Sequence, residues 1–303
     1  MAVSAVRAVS DVVIRPFDAP LGAEVECGDL RHLDRRAREA IHAAWLDHMV
    51  LVFRDQPITD AELVDFTGIF GESEVAAVAP ARGVFQEVAV VTNILENGKP
   101  VGILGAGELR WHSDHSFNER PLGAALLHAK EVPPAGGDTS FSNMYLALAT
   151  MPPALRARAE GLTIKNDGTY NSAGEKRANI DGVDDLTAYQ GPSHPIVRTH
   201  PETGHNALYL GRRPNAYVNG LSVDESEALL DDLWAHATQP RFAWTHRWRV
   251  GDTVVWDNRA VMHKRTAFDP SARRMMRRSQ CSGERPYNDP AADRRGPHPR
   301  APL

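Results

Sequence analysis

Cysteine is scarce: Cys27 and Cys281 are the only two in 303 residues. That excludes a disulfide framework and a cysteine-ligated zinc module, and it fits free thiols in a reducing compartment. Long apolar runs are absent as well. No window approaches the roughly 18 apolar residues of a spanning helix, and the opening "MAVSAVRAVSDVVIRPF" lacks the uninterrupted core and processing site of a secretory signal. A cytoplasmic chain with no membrane partner is expected. Basic residues are not in excess, since 34 Lys and Arg stand against 39 Asp and Glu for a net charge of −5, so nucleic acid is not an expected partner. The Gly-x-Gly of "GAGEL" (105–109) lacks the third glycine of a dinucleotide loop, and neither a Gly-x-Ser-x-Gly elbow nor a Walker lysine loop occurs. These absences leave small-molecule chemistry.

What is present is a globular composition, with 42% hydrophobic and 24% charged residues, in a chain long enough to bury most of its apolar surface without staples. One domain over 1–287 is expected, followed by a Pro- and Arg-rich tail over 288–303 whose composition marks it as loosely held. Strand candidates rich in β-branched and aromatic residues dominate: 12–17, 49–55, 87–94, 124–132, 138–144, 195–200, 207–211, 246–258 and 261–268. Helices are fewer and peripheral, over 35–48, 59–71, 152–161 and 222–237, the last opened by a Ser222–Glu225 capping box. The fold class is therefore mainly β with peripheral helices. Segments 72–110 and 165–194, rich in Gly, Asn, Asp and Pro, read as loops over the mouth of the β scaffold.

Within "LRWHSDHSF" (109–117), an extended backbone would put His112 and Asp114 on one face and turn Ser113 and His115 away. The pair alone is ordinary, because 13 histidines give roughly one His-x-Asp by chance; a hydrogen-bonded pair at a strand end is the plainer reading. His263, which follows a strand and an Asp-Asn turn in "VVWDNRAVMH" (254–263), changes the balance. Two histidines and one carboxylate make the facial triad that holds Fe(II) and leaves three positions open to reactants. A zinc hydrolase with the same three ligands stays open on ligand type alone. In "ARRMMRR" (272–278), extended backbone places Arg274, Met276 and Arg278 on one face and Arg273, Met275 and Arg277 on the other. Inward guanidiniums need anionic partners. Without the metal motif, the same run would read as a solvated basic edge.

Taken together, "WHSDHSF", "PPAGGDTSF", "RTHPETGHNALYLG", "HRWRVGDTVVWDNRAVMH" and "ARRMMRR" resemble the family of taurine dioxygenase and aryloxyacetate dioxygenase, over about residues 12–287. The resemblance implies a double-stranded β-helix core, a jelly roll of cupin type. It implies an Fe(II)- and 2-oxoglutarate-dependent oxygenase that uses O2 to oxidise a C–H bond and releases succinate and CO2, with hydroxylation, desaturation or epoxidation as the outcome. By motif position, His112, Asp114 and His263 match the metal ligands, and Thr139 and Arg274 match the residues holding the distal carboxylate of 2-oxoglutarate. Arg278 matches an arginine that lies near the co-substrate and grips the anionic group of the substrate. The expected partner is a small anionic organic molecule, and assembly as a dimer or tetramer is compatible with the reading.

Departures from the family pattern steer the substrate. Residues 71–83 carry no aromatic before Phe85, and Glu108 stands four positions before His112. Both turn the expectation from taurine toward a hydrophobic carboxylate, either an aryloxyalkanoate or a natural-product acid such as a terpenoid of secondary metabolism. An alkyl-sulfonate or sulfate-ester substrate is the alternative, and a cupin-type zinc hydrolase or a non-catalytic jelly-roll binding protein is the non-oxygenase one. The histidines of 193–205 are explained by turn chemistry, His115 by packing behind the site, and Trp244, Trp248 and Trp256 by the core. Asp257 and Asn258 are turn residues with a secondary role in orienting His263.

Overall fold

Runs of alternating β-branched and aromatic residues become strands where two of them can satisfy each other's backbone groups. The computed structural model describes residues 7–9, 12–76, 85–107, 109–177, 185–188, 191–214, 216–295 and 298–300. Glu108, residues 77–83 of the loop singled out above and residues 178–184 lie outside them. Nine strands form the larger sheet in the order Arg7–Val9, Val12–Pro16, Ala23–Glu26, Val50–Phe53, Thr253–Asp257, Leu122–Glu131, Met275–Ser282, Ala89–Thr92 and Ile103–Leu104. Four strands form a second sheet, ordered Ala243–His246, Thr139–Asn143, Val261–Arg265 and Leu109–His112. The two pack face to face over a core that includes Leu127, Phe141, Val254, Trp256 and Met276. The fold is mainly β.

The outer face of the larger sheet is covered by the Arg35–His48 helix, which the sequence reading places at the same residues. Asp34 caps it by accepting from the Ala37 N–H at 2.7 Å, and Met49 closes it in the left-handed region at φ 64°. Ile41, Ala44 and Trp45 face Leu51, Phe53, Leu126 and Val255 in one apolar cluster. Capping boxes open the Asp60–Thr67 and Val223–Ala237 helices, through Thr59 with Glu62 and Ser222 with Glu225. No helix among the described residues is long and apolar enough to cross a membrane.

Three expectations differ from the structure. The single run 246–258 is two strands in different sheets, separated by a turn with Gly251 at φ 88°. The 138–144 run ends at Asn143, whose side chain accepts from the Leu146 N–H at 2.9 Å and starts the Met144–Ala149 helix. The loosely held tail is corrected most clearly. Residues Pro290–Arg295 form a 3-10 helix, the His298 ring is 3% exposed and stacks on Tyr145 at 4.3 Å, and the Arg300 carbonyl accepts from Asn143 Nδ2 at 3.1 Å. Composition missed this because one buried aromatic contact outweighs a polar, proline-rich neighbourhood.

Burial pushes His48 down to about 3 and His128 and His298 down to about 4, with Arg300 adding to the effect at His48 and Lys130 at His128. Each is neutral in the folded chain, whereas an unfolded histidine protonates near pH 6.5. Stability is therefore fully present above about pH 6.5 and falls as pH drops toward 4, by about 1.4 kcal/mol per pH unit for each histidine. Urea midpoints across that range should show the decline, and His298→Gln should flatten it. An unchanged slope in the variant would place the acid lability elsewhere.

Candidate metal centre and anion cavity

Register brings the site together. In the four-stranded sheet His263 lies opposite His112 on one side and Phe141 on the other, and Arg265 lies opposite Thr139. Cross-strand partners share a face, so His112, Thr139, His263 and Arg265 all look into the space between the sheets. The strand bearing His112 stops at that residue, which corrects the picture of Asp114 on the same strand. Asp114 sits in the following turn, yet its two carboxylate oxygens still lie 3.5 Å from His112 Nε2 and 3.5 Å from His263 Nε2.

Asn258 makes that possible. Its Oδ1 accepts from the Asp114 N–H at 2.7 Å, while its Nδ2 donates to the Asp114 and Leu122 carbonyls, each at 3.0 Å. The clamp therefore orients Asp114, not His263 as the sequence suggests. Asp257 is also engaged elsewhere, accepting from His200 Nε2 at 2.9 Å and from Arg259. The other ring nitrogen of His200, Nδ1, accepts from the Glu202 and Thr203 N–H groups, which is the turn chemistry expected of the 193–205 segment.

Among the described residues, His112, Asp114 and His263 are the one group of His, Cys, Asp or Glu side chains gathered at metal-ligand spacing, with the three donor atoms within 4.8 Å of one another. Their chemistry fits a divalent ion. His112 Nδ1 lies 2.6 Å from the Arg110 carbonyl, so it carries the proton and leaves the Nε2 lone pair pointing at the cluster. Burial lowers the pKa of both imidazoles, keeping them neutral as ligands must be. Burial alone would raise the Asp114 carboxyl, but the pKa is lowered, with the Arg278 guanidinium as the largest cause, and the group stays ionised. Arg278 Nη2 stands 2.9 Å from Asp114 Oδ2 without hydrogen-bond alignment, so both atoms are buried donors and acceptors without a bonded partner.

A cavity of about 700 Å³ opens onto the cluster. At one end lie Thr139, Arg265 and Arg274. The backbone of Arg274 is held by Thr92 and Asn93, but its Nε and one Nη find no partner, and burial followed by Arg265 pushes its pKa down to about 9. Thr139 Oγ1 accepts from Trp248 Nε1 at 3.0 Å, which leaves its own proton to donate. Gly137, at φ 70°, makes room for the arginine stem: a Cβ there would come within 3.1 Å of Arg274 Nε. Arg265 went unnoticed in the sequence although the period of two from His263 points to it. One of its nitrogens ties down the carbonyls of Leu104, Gly105 and Gly107, and the other two are unpartnered.

Around the metal cluster the walls hold Arg177, Arg212, Arg278 and Phe117. Arg212 had no local signal, since only the isolated pairing of its backbone with His112 brings it there. His115 also lines this space instead of packing behind it, with φ at 53° turning its ring inward. Trp256 lies against the His263 ring at 4.9 Å, so it belongs both to the core and to the cavity wall.

Comparison with known proteins points the same way. The description "Taurine catabolism dioxygenase TauD, TfdA family" matches residues 14–280. The chain is 35% identical to the alpha-ketoglutarate-dependent 2,4-dichlorophenoxyacetate dioxygenase of Cupriavidus pinatubonensis, over 88% of this chain and 96% of that one. It is 32% identical to pentalenolactone F synthase of Streptomyces arenae, over 86% and 91% respectively. A crystal structure of a taurine dioxygenase from Burkholderia xenovorans superposes with a TM-score of 0.74 at 32% identity, covering 92% of this chain and 93% of the other.

The clamp on Asp114 can be weighed directly. Anaerobic titration with Co(II), followed by its visible absorption, should show no site in His263→Ala and affinity lowered about 10- to 100-fold in Asn258→Ala. Parent-like affinity in Asn258→Ala would mean that the turn holds Asp114 without help.

Proposed function

This chain belongs to the taurine catabolism dioxygenase TauD, TfdA family and is a 2-oxoglutarate-dependent dioxygenase, and from that premise we propose how its residues divide the work. His112, Asp114 and His263 hold Fe(II). Thr139 and Arg274 hold the distal carboxylate of 2-oxoglutarate, and Arg278 grips the anionic group of a small hydrophobic acid. The observation that carries this reading is one cavity with a two-histidine, one-carboxylate cluster beside it and buried, unpartnered arginine donors at its end. The two facing sheets are read as a double-stranded β-helix, and residues 1–287 as one oxygenase domain onto which the packed C-terminal segment folds.

When bound, Fe(II) and 2-oxoglutarate supply the O2-dependent oxidation of a C–H bond with release of succinate and CO2. The protein's own part is placement. Arg274 offers a planar fork that matches a carboxylate, and the Thr139 hydroxyl adds a third donor. Leu109, Leu127, Val91 and Trp256 line the cavity with apolar surface and keep water from the reacting end. Arg278, beside Asp114, fixes the substrate acid a short distance from the metal ligands. A cupin-type zinc hydrolase would leave the donors of Arg274 buried without an acid to meet, which is heavily unfavourable.

The relatives named above act on an aryloxyacetate, on taurine and in pentalenolactone formation. A hydrophobic carboxylic acid, either aryloxyalkanoate or natural-product in type, suits the apolar walls and the single metal-side arginine of the family motif better than a small sulfonate.

Arg274→Ala should raise the 2-oxoglutarate requirement at least about tenfold, since charge-assisted hydrogen bonds are worth about 1.5–3 kcal/mol each. Succinate formation against 2-oxoglutarate concentration measures this, and an unaltered dependence would assign the anchor to another residue.

The substrate reading calls for hydrophobic carboxylates, their methyl esters, taurine and alkyl sulfates scored by succinate release coupled to product. Acids should be turned over and esters should not, with Arg278→Ala losing most of the activity on acids. Efficient turnover of taurine or of the esters, with acids inert, would reject the carboxylate assignment.

A further inference from the structure

Arg212 is not used by the reading above, and it is the group least explained by the fold. It is 6% exposed, its backbone N–H is held by Asn166 Oδ1 at 2.8 Å, and its backbone pairs with that of His112. The side chain is poorly provided for. Nη1 reaches the Tyr170 carbonyl at 3.4 Å, the outer limit of a hydrogen bond, and Nε has no partner. Its guanidinium lies 5.5 Å from the Phe117 ring, whose other cation is Arg177 at 4.1 Å. Burial lowers the Arg212 pKa to about 10; Asp114 opposes that, and Arg177 and Arg278 add to it, so the three guanidiniums are near enough to repel one another.

The acids in the cavity do not balance them. Among the described residues, Asp114 is the only buried carboxylate in the lining, and as a metal ligand its charge is committed to the ion. Glu175 is exposed and takes a hydrogen bond from Asn171 at 2.8 Å. Asp114 and Asp167 offset Arg177 in part, and Arg278 has only Asp114, at 2.9 Å, so with that carboxylate on the ion neither Arg212 nor Arg278 keeps a counterion of its own among the described residues. A substrate with one negative charge would satisfy one of these and leave the other a buried, unpaired cation, the costliest arrangement for a charged group.

We propose that the substrate carries two negative charges, one met by Arg278 and the other by Arg212 with Arg177 in support, while Phe117 packs against its hydrophobic body. The inference rests on Arg278 binding an acid, as read above, and adds a second anion subsite at Arg212. The charges belong to two carboxylates or to one dianionic centre such as a phosphate monoester, both of which offer the guanidinium fork the same paired oxygens.

Calorimetry on protein loaded with Co(II) and 2-oxoglutarate, which binds without turning over, tests it with phenoxyacetate, (4-carboxyphenoxy)acetate and phenyl phosphate. The parent should bind the diacid or the phosphate at least about tenfold tighter than phenoxyacetate. A gain confined to the diacid puts the charges on separate groups, and a gain confined to phenyl phosphate puts them on one centre. In Arg212→Gln the preference should fall to within about threefold of unity, in Arg177→Gln it should fall partway, and in Arg212→Lys most of it should persist. A parent with no preference, including one that binds none of the probes, overturns the proposal, as does a preference that survives in Arg212→Gln. Should Arg212→Gln fail to fold, the parent ratio and Arg177→Gln decide. Arg278→Gln separates the two readings: unchanged phenoxyacetate binding there would fault the assignment of Arg278, whereas loss of both acids with a normal parent preference leaves both standing.

Discussion

The pairing of His263 with His112 across neighbouring strands is the constraint on which the site rests. Side chains alternate faces along a strand, so a slip of one residue would turn His263 and Arg265 toward the opposite side while Thr139 and His112 stayed put. The slip is opposed from both sides, because the Val261–Arg265 strand is also registered against Thr139–Asn143, with Phe141 opposite His263. Asp114 lies outside this ladder. It depends on Asn258, which spends both ends of its amide on holding the turn in place.

Around that frame the cavity segregates charge in a way that the chain's overall balance conceals. The protein as a whole is acidic, with a net charge of −5, yet five arginines line one cavity. They fall into two sets by their neighbours. Arg265 and Arg274 stand with Thr139, and Arg177, Arg212 and Arg278 surround Phe117 and the metal ligands. Because the field inside a low-dielectric cleft is set by the nearest fixed charges, the cavity is electropositive inside an acidic protein. Arg265 further links the first set to the backbone of residues 104–107, so order in that segment and order at the cavity end are joined.

Much of this was legible from residue spacing. Alternation from Arg274 to Arg278 correctly separates buried Arg274 and Met276 from the more accessible Arg273 and Met275. The same rule, applied two positions past His263, would have found Arg265. What was not legible depends on contacts far apart in sequence. Nothing near Arg212 announces that its backbone will lie beside His112, and nothing near Asn258 says that its amide will face Asp114 and not His263. The tail misled for a related reason. Its proline and arginine content describes its average solvation, whereas its position is decided by the His298 ring stacked on Tyr145.

The close approach of Gly137 to Arg274 has a consequence for altering the enzyme. The absent Cβ is occupied space: the arginine stem fills it at 3.1–3.2 Å from where a methyl group would stand. Positions 137 and 274 are thus one steric unit, and their substitutions should be strongly non-additive. A library that shortens residue 274 to admit a bulkier oxo-acid relieves the crowding at 137, though its φ of 70° still favours glycine or asparagine there. Varied alone, position 137 would look immutable. Under the proposed anchoring of 2-oxoglutarate by Arg274, varying the two as a pair is a route by which co-substrate preference could be redrawn without touching His112, Asp114 or His263.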